Sequence, residues 1–156
     1  MSKTIFITEV GLRDGLQSLK EIIPTSDKLF LTKSLVESGV KRIQVTSFVN
    51  KKLIPQMADA EKLICSLSNQ DKVEFSALVL NQKGLYRAIE SGMKSIDFSV
   101  SSSESYSKKN TRMNIKESIQ CLDRMIKKAK ENNLKIRAGI QCVWGCVYDG
   151  FPNEKK

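Results

Sequence analysis

The order in which two kinds of periodicity alternate along this chain is the strongest limit on its fold. Short β-rich runs at residues 4–10, 43–48, 73–80, 95–100 and 134–143 are separated by stretches with helical spacing. Such alternation predicts a parallel sheet with helical crossovers, because parallel neighbours cannot be joined by a tight hairpin. Pro24-Thr25-Ser26-Asp27 reads as a helix start, with a hydroxyl cap and an acid in the first turn. Leu29, Thr32, Leu35 and Val36 recur at helical spacing behind it, and Gly39 marks the stop. Residues 57–67 carry Ala60, Leu63, Ile64 and Leu67 on one stripe, and residues 82–91 form a short helix closed by Gly92. The longest helical stretch, 115–133, is predicted to bury Ile115, Ile119, Leu122, Ile126 and Ala129. The Ser-rich segment 101–114 reads as a loop.

Two architectures fit this order: an open doubly wound sheet, or the first part of a (β/α)8 barrel. No G-x-G-x-x-G turn follows the first run, where the chain reads Gly11-Leu12-Arg13-Asp14-Gly15-Leu16-Gln17. A complete barrel needs roughly 250 residues, so 156 residues with five strands would make a little over half of one. The pattern alone leaves both open.

Composition narrows the function classes. The chain is 40% hydrophobic and 28% charged, an ordinary soluble profile with no linker or low-complexity segment, so residues 1–156 are expected to form a single domain. No apolar run approaches membrane-spanning length, and the N-terminus lacks a secretory pattern. Cys65, Cys121, Cys142 and Cys146 show no disulfide-scaffold spacing, so reduced thiols in a cytoplasm are expected. The formal net charge of +9 favours anionic partners. Nucleic acid is the weaker choice, because aromatics are 6% of the chain and none interleave with the lysines as stacking platforms. Histidine is absent, which removes His-based triads and His metal sites from this chain.

In parallel α/β folds, functional groups gather at the carboxyl ends of strands. Arg13, Asp14 and Gln17 follow the first run; Gln44, Thr46, Ser47, Lys51 and Lys52 belong to the second and its loop. Asn81 follows the third, and Ser101, Glu104, Lys108, Lys109 and Asn110 follow the fourth. Asp14 could ligate a hard divalent cation while Arg13 stabilises an anion beside it. Each signal has a plainer reading. An Arg-Asp-Gly triplet is more often a turn with a local ion pair, lysine pairs are usually solvated surface, and Cys142 and Cys146 are more often packed small hydrophobes.

Taken in order, the motifs are more specific. The stretch from Glu9 through Gly11-Leu12-Arg13-Asp14-Gly15 to Gln17 resembles the opening signature of the hydroxymethylglutaryl-CoA lyases, within the metal-dependent lyase and synthase superfamily built on TIM barrels. Thr46-Ser47-Phe48-Val49, Pro55-Gln56-Met57-Ala58-Asp59-Ala60, Ser103-Glu104 with Lys108-Lys109-Asn110, and Cys142 through Gly145-Cys146 to Asp149-Gly150 are similar to later segments of the same family. The resemblance implies the N-terminal portion of a (β/α)8 TIM barrel: about five strands and four helices, truncated on its C-terminal side. It implies a retro-Claisen cleavage of 3-hydroxy-3-methylglutaryl-CoA to acetoacetate and acetyl-CoA, as in leucine degradation and ketone-body formation, assisted by Mg2+ or Mn2+.

Carried over residue by residue, the resemblance makes Asp14 a metal ligand, and Arg13 both a substrate-holding and an enolate-stabilising group. Gln17, Lys20, Ser47 and Asn110 fall at substrate or CoA positions. Gln44 stands where the family has a catalytic Glu, keeping the shape without the charge, and Gly139 stands where it has Tyr. The family's two His ligands, its Asn ligand and its catalytic Cys come from later strands and loops, so this chain by itself is expected to hold an incomplete metal site and to be inactive. A CoA-binding or dimerising half-barrel without catalysis is the alternative, its partner a C-terminal half-barrel or a second copy. A basic nucleic-acid-binding protein ranks last.

Overall fold

A computed structural model describes residues 5–67 and 73–151. Strands β1 (Arg42–Ser47), β2 (Glu74–Leu78), β3 (Ser95–Ser101) and β4 (Lys135–Gln141) form one parallel sheet in the order β1-β2-β3-β4. Helices α1 (Thr25–Glu37), α2 (Ala60–Ser66), α3 (Gln82–Glu90), α4 (Glu104–Thr111) and α5 (Ile115–Glu131) make the connections, with a π-helical turn at Gly11–Gly15 and a 3-10 turn at Pro55–Met57. Strand order follows chain order without the reversal that defines a doubly wound sheet. That decides between the two architectures in favour of the barrel-like one.

Three expectations are corrected. Among the described residues the sheet has four strands, not five. The first run contributes one bridge, Glu9 to Ile43, with the Glu9 N–H donating to the Arg42 carbonyl at 2.9 Å and the Gln44 N–H to the Glu9 carbonyl at 2.8 Å. Ile5, Phe6 and Ile7 are 85%, 67% and 78% exposed, and apart from the Arg42 guanidinium over the Phe6 ring at 5.1 Å this apolar run stays largely uncovered, with little to flatten it onto β1; Thr4 lies outside the described residues. The Ser-rich segment is largely helix α4, because the Ser103 hydroxyl accepts the Tyr106 N–H and caps it. At α1 the expected hydroxyl cap is not made: Pro24 occupies the cap position, and Thr25 Oγ1 donates instead to Asp59 Oδ2 at 2.8 Å.

Each strand begins polar-apolar-polar, and alternation sends these residues to opposite faces. Ile43, Val45, Ala77, Val79, Ile96 and Phe98 are buried in two hydrophobic clusters that also take Leu63, Leu85, Ala88, Met125 and Ala129 from the helices. Fully burying one such large side chain is worth about 1.5–3 kcal/mol. Helix α5 buries Ser118, Cys121, Met125 and Ala129. Leu122, Ile126 and Ala129 of the expected stripe pack on the core, whereas Ile119 is 52% exposed and the Ser118 hydroxyl turns inward to meet that of Ser107 at 3.0 Å. Gly84 in α3 leaves no room for a side chain: a Cβ there would lie 2.3 Å from the Phe48 carbonyl oxygen. The opposite face of the sheet carries Arg42, Gln44, Glu74, Ser76, Ser95, Asp97, Lys135 and Arg137. Arg42 and Lys135 both pair with Glu74, at 3.7 and 3.4 Å.

Polar ties fix α2 and α3 to the end of β1. Glu61 accepts from Arg87 Nε at 2.7 Å and pairs with Lys51 at 3.1 Å. Burial pushes the Glu61 carboxyl up, but hydrogen bonds from Arg87, its own backbone N–H and Lys51, with the Arg87 charge, outweigh it and hold the pKa at about 2. A depressed folded value means that the stabilisation is complete above the ordinary carboxylate range near pH 4.5 and is lost as pH falls toward 2. With the side chain one-third exposed, screening leaves roughly 1–2 kcal/mol. Glu61→Gln is therefore expected to be less stable than the native chain at pH 6, with the gap closing by pH 2. Urea titrations across that range check it, and a constant gap would refute the assignment.

Candidate functional site

The π-helical turn carries Arg13 and Asp14 to β1. Arg13 Nη1 donates to Asp14 Oδ1 at 2.5 Å, and Arg13 Nε to Gln44 Oε1 at 2.5 Å. The far end of the Gln44 carboxamide donates to Asp97 Oδ2. Asp97 also accepts from Ser76 Oγ at 2.7 Å and from Arg137, through Nε at 2.8 Å and Nη2 at 3.0 Å. Arg137 Nη1 reaches back to Thr8 Oγ1 at 2.9 Å. One continuous chain of donors and acceptors thus runs Arg137, Asp97, Gln44, Arg13, Asp14 across the polar face. The site grades from dry to wet, with Asp97 and Gln44 buried, the Arg13 side chain 17% exposed and that of Asp14 66% exposed.

Ser47 Oγ donates to Gln17 Oε1 at 3.1 Å. Gln44 and Ser47 are three residues apart and would sit on opposite faces of a regular strand. The register of β1 against β2 shifts between Gln44 and Thr46, and this bulge lets both side chains meet the segment from Arg13 to Gln17. The fold therefore brings Arg13, Asp14, Gln17, Gln44 and Ser47 together. Lys20 and Asn110 are exposed and stand outside this hydrogen-bonded set.

Sequence reasoning missed Asp97, Ser76 and the part played by Arg137. The signal was present: polar residues recur at 95, 97, 99 and 101, every second position of a strand, so one face of β3 had to be polar. It also missed a second cluster. Ser103 Oγ donates to Asp149 Oδ2 at 2.5 Å and lies 3.0 Å from Cys146 Sγ. The Ser103 hydroxyl, with the backbone N–H groups of Tyr148 and Asp149, holds the Cys146 thiol below its usual range. Cys146 is thus a hydrogen-bonded thiol and not the packed hydrophobe its surroundings in the sequence suggested.

A divalent cation is a poor fit to the described residues alone. Asp14 already shares an oxygen with Arg13, and among the described residues no three His, Cys, Asp or Glu side chains stand together as a cage. Mg2+ needs six oxygens in near-octahedral geometry, and one carboxylate does not supply them.

The pattern of the HMGL-like family matches residues 4–147. The chain belongs to that family. It is 37% identical, over all 156 residues, to the mitochondrial hydroxymethylglutaryl-CoA lyase of Macaca fascicularis, covering 48% of that protein. The solved HMG-CoA lyase of Brucella melitensis superposes with a TM-score of 0.92 at 38% identity, over 97% of this chain and 54% of its own. That of Acinetobacter baumannii, solved in complex with coenzyme A and 3-methylmalate, superposes with a TM-score of 0.90 at 27% identity, over 96% of this chain and 49% of its own. The HMGL-like chain described here spans about half the length of the curated relatives it matches. Its four parallel strands are accordingly those of the N-terminal part of a TIM barrel.

Proposed function

We propose that residues 1–156 act as one partial TIM-barrel domain that is hydroxymethylglutaryl-CoA lyase-like, contributing the acyl-CoA-holding side of a retro-Claisen site and not turning over by itself. The observation that carries this reading is Arg13, fixed through Nε by Gln44 and through Nη1 by Asp14, with no partner on Nη2 among the described residues. Cleavage of 3-hydroxy-3-methylglutaryl-CoA begins with loss of the proton from the 3-hydroxyl. The alkoxide then collapses to the ketone of acetoacetate, and the carbon–carbon bond breaks. Its electron pair becomes the enolate of acetyl-CoA, with charge on the thioester oxygen, and return of the proton lost from the hydroxyl to the enolate carbon gives acetyl-CoA. A guanidinium already oriented by its neighbours offers that oxygen an N–H of Nη2 at no cost of reorganisation. Gln17 and Ser47 line the same end of β1, and Lys20 and Asn110 are placed in this reading near the CoA moiety, where the basic surface suits its phosphates.

Asp14 is inferred to give one ligand to a divalent ion, Mg2+ or Mn2+, whose remaining protein ligands the described residues do not supply. The outer edge of β4 has no partner strand among the described residues, and Trp144, Val147 and Phe151 beyond it are 89%, 90% and 90% exposed. This supports a partner that continues the sheet, a C-terminal half-barrel or a second copy. Among the described residues no helix is long and apolar enough to cross a membrane, and all four cysteines are free, which supports a reducing compartment such as the cytoplasm.

The test has two readouts. The 156-residue chain with millimolar Mg2+ and the thioester substrate is expected to release acetoacetate far more slowly than about 1 s⁻¹. Equilibrium binding of acetyl-CoA is expected to weaken about tenfold or more in Arg13→Met, the loss of a charge-assisted hydrogen bond. Turnover at an ordinary enzyme rate would refute the inactivity, and equal affinity would remove Arg13 from the binding site.

A further inference from the structure

We propose that Asp97 is the positioning residue for Arg13: it supplies the fixed negative charge of this site from β3, and the Gln44 carboxamide relays it. Donors and acceptors must match at each link from Asp97 to Arg13. An arginine side chain only donates, an ionised aspartate only accepts, and a carboxamide does one at each end. Gln44 is 3% exposed between the two, with its oxygen on Arg13 and its nitrogen on Asp97. Glutamate at 44 would serve Arg13 and set a second carboxylate against Asp97. Leucine or methionine would serve neither. The residue type at 44 is thus dictated by having a cation on one side and an anion on the other.

Asp97 in turn fixes which way the amide points. It is 5% exposed and its two oxygens are held by Arg137 and Ser76, so it cannot turn away from Gln44. Without the charge at 97, the carboxamide has no reason to keep its NH2 end there, and an amide flip would present that NH2 to Arg13 Nε. A second arm of the same carboxylate acts in concert. Arg137, held by Asp97, donates to Thr8, five residues before Arg13. Asp97 therefore grips the segment bearing Arg13 through Gln44 on one side and through Arg137 on the other. Gln44 on this account belongs to a matched pair, with the acid at 97 and the amide at 44.

The inference deepens the reading of Arg13 as the anion-binding group, and its test does not depend on that reading. Exchange of the Arg13 Nε–H with water is measured by ¹⁵N–¹H spectroscopy on the 156-residue chain, with backbone amide spectra confirming that each variant is folded. Asp97→Asn is expected to speed that exchange about tenfold or more, the loss expected for a charge-assisted hydrogen bond. Gln44→Met, which spares the Asp97–Arg137 pair, is expected to do the same and stands in if Asp97→Asn does not fold. The exchanged pair Gln44→Glu with Asp97→Asn again puts an acceptor against Arg13 and an amide beside it, and is expected to return the exchange to within a few-fold of native. Unchanged exchange in folded Asp97→Asn, or a double variant as fast as Asp97→Asn, would overturn the proposal. Acetyl-CoA affinity of Arg13→Met reads the functional assignment separately: slow Arg13 exchange with no effect of Arg13→Met on affinity would sink the site and leave the relay standing.

Discussion

Asp59→Ala is expected to destabilise the fold by about 3–5 kcal/mol, the cost of leaving a buried charge without its partner. Lys28 lies on α1 with its side chain 2% exposed, and its ammonium donates to Asp59 Oδ1 and to the Gln56 carbonyl, each at 2.6 Å. Removing Asp59 strands the ammonium beside a single neutral carbonyl. It also takes the acceptor of Thr25, so the start of α1 loses its tie to the segment before α2. Lys28→Met is expected to cost clearly less, since an apolar chain of similar length fills the same space and Asp59, whose side chain is 22% exposed, can still meet water and Thr25. Urea unfolding separates the two. With a slope near 2 kcal/mol per molar, Asp59→Ala should lower the midpoint by roughly 2 M. A loss below about 1 kcal/mol would mean that Lys28 finds water when its partner is gone.

Phe48→Ala is expected to cost a similar amount, about 3–5 kcal/mol, through the lost transfer energy and the cavity left behind. Phe48 is wholly buried where β1 ends, directly after Ser47, and its ring lies under the Arg87 guanidinium at 5.5 Å. The site cannot collapse around a smaller residue from the α3 side, because Gly84 already touches the Phe48 backbone and has no side chain to advance. The effect should reach the candidate site. Arg87 also donates to the Val49 carbonyl, so loosening Phe48 and Arg87 together frees the end of β1 that holds Ser47 against Gln17. Calorimetric or urea unfolding gives the stability loss. A cost below about 1 kcal/mol would show that α3 repacks onto β1.

These two residues illustrate how unevenly the sequence speaks. Phe48 closes the strand-like run 43–48, where a large apolar residue is ordinarily buried, although the bulge after Gln44 decides the face it takes. Lys28 reads as a surface lysine in a helix whose expected stripe passes through Leu29 and Thr32. Only the approach of the segment carrying Gln56 and Asp59, about thirty residues on, makes a buried ammonium tolerable. Charges are buried by their partners, and a partner distant in sequence casts no local signal.

The candidate site divides the same way. The Arg13-Asp14 pair, Gln17, Gln44 and Ser47 were legible because they lie in motifs at the ends of β-rich runs, where a parallel fold gathers polar groups. Asp97 and Arg137 were not singled out, although the alternation in β3 and β4 placed them on the polar face. What joins them to Gln44 is the register of four strands, which pairs Asp97 with Arg137 and sets Ser76 between β1 and β3.

The sequence by itself determined the class of fold, the parallel direction of the strands and the family. Hydrophobic periods of two and of about 3.6 residues are local properties, and the motifs were intact in order and spacing. The tertiary structure alone decided which apolar runs became strands, which residues of α5 turned inward, and why position 44 is glutamine. Residues 5–8 carry the composition of a strand but add none to the sheet, because a strand forms only where a neighbour accepts its hydrogen bonds and a layer covers its face. Gln44 is fixed by a cation and an anion that approach it from residues 13 and 97, and that encounter exists only once β1, β3 and the turn after Val10 have closed on one another.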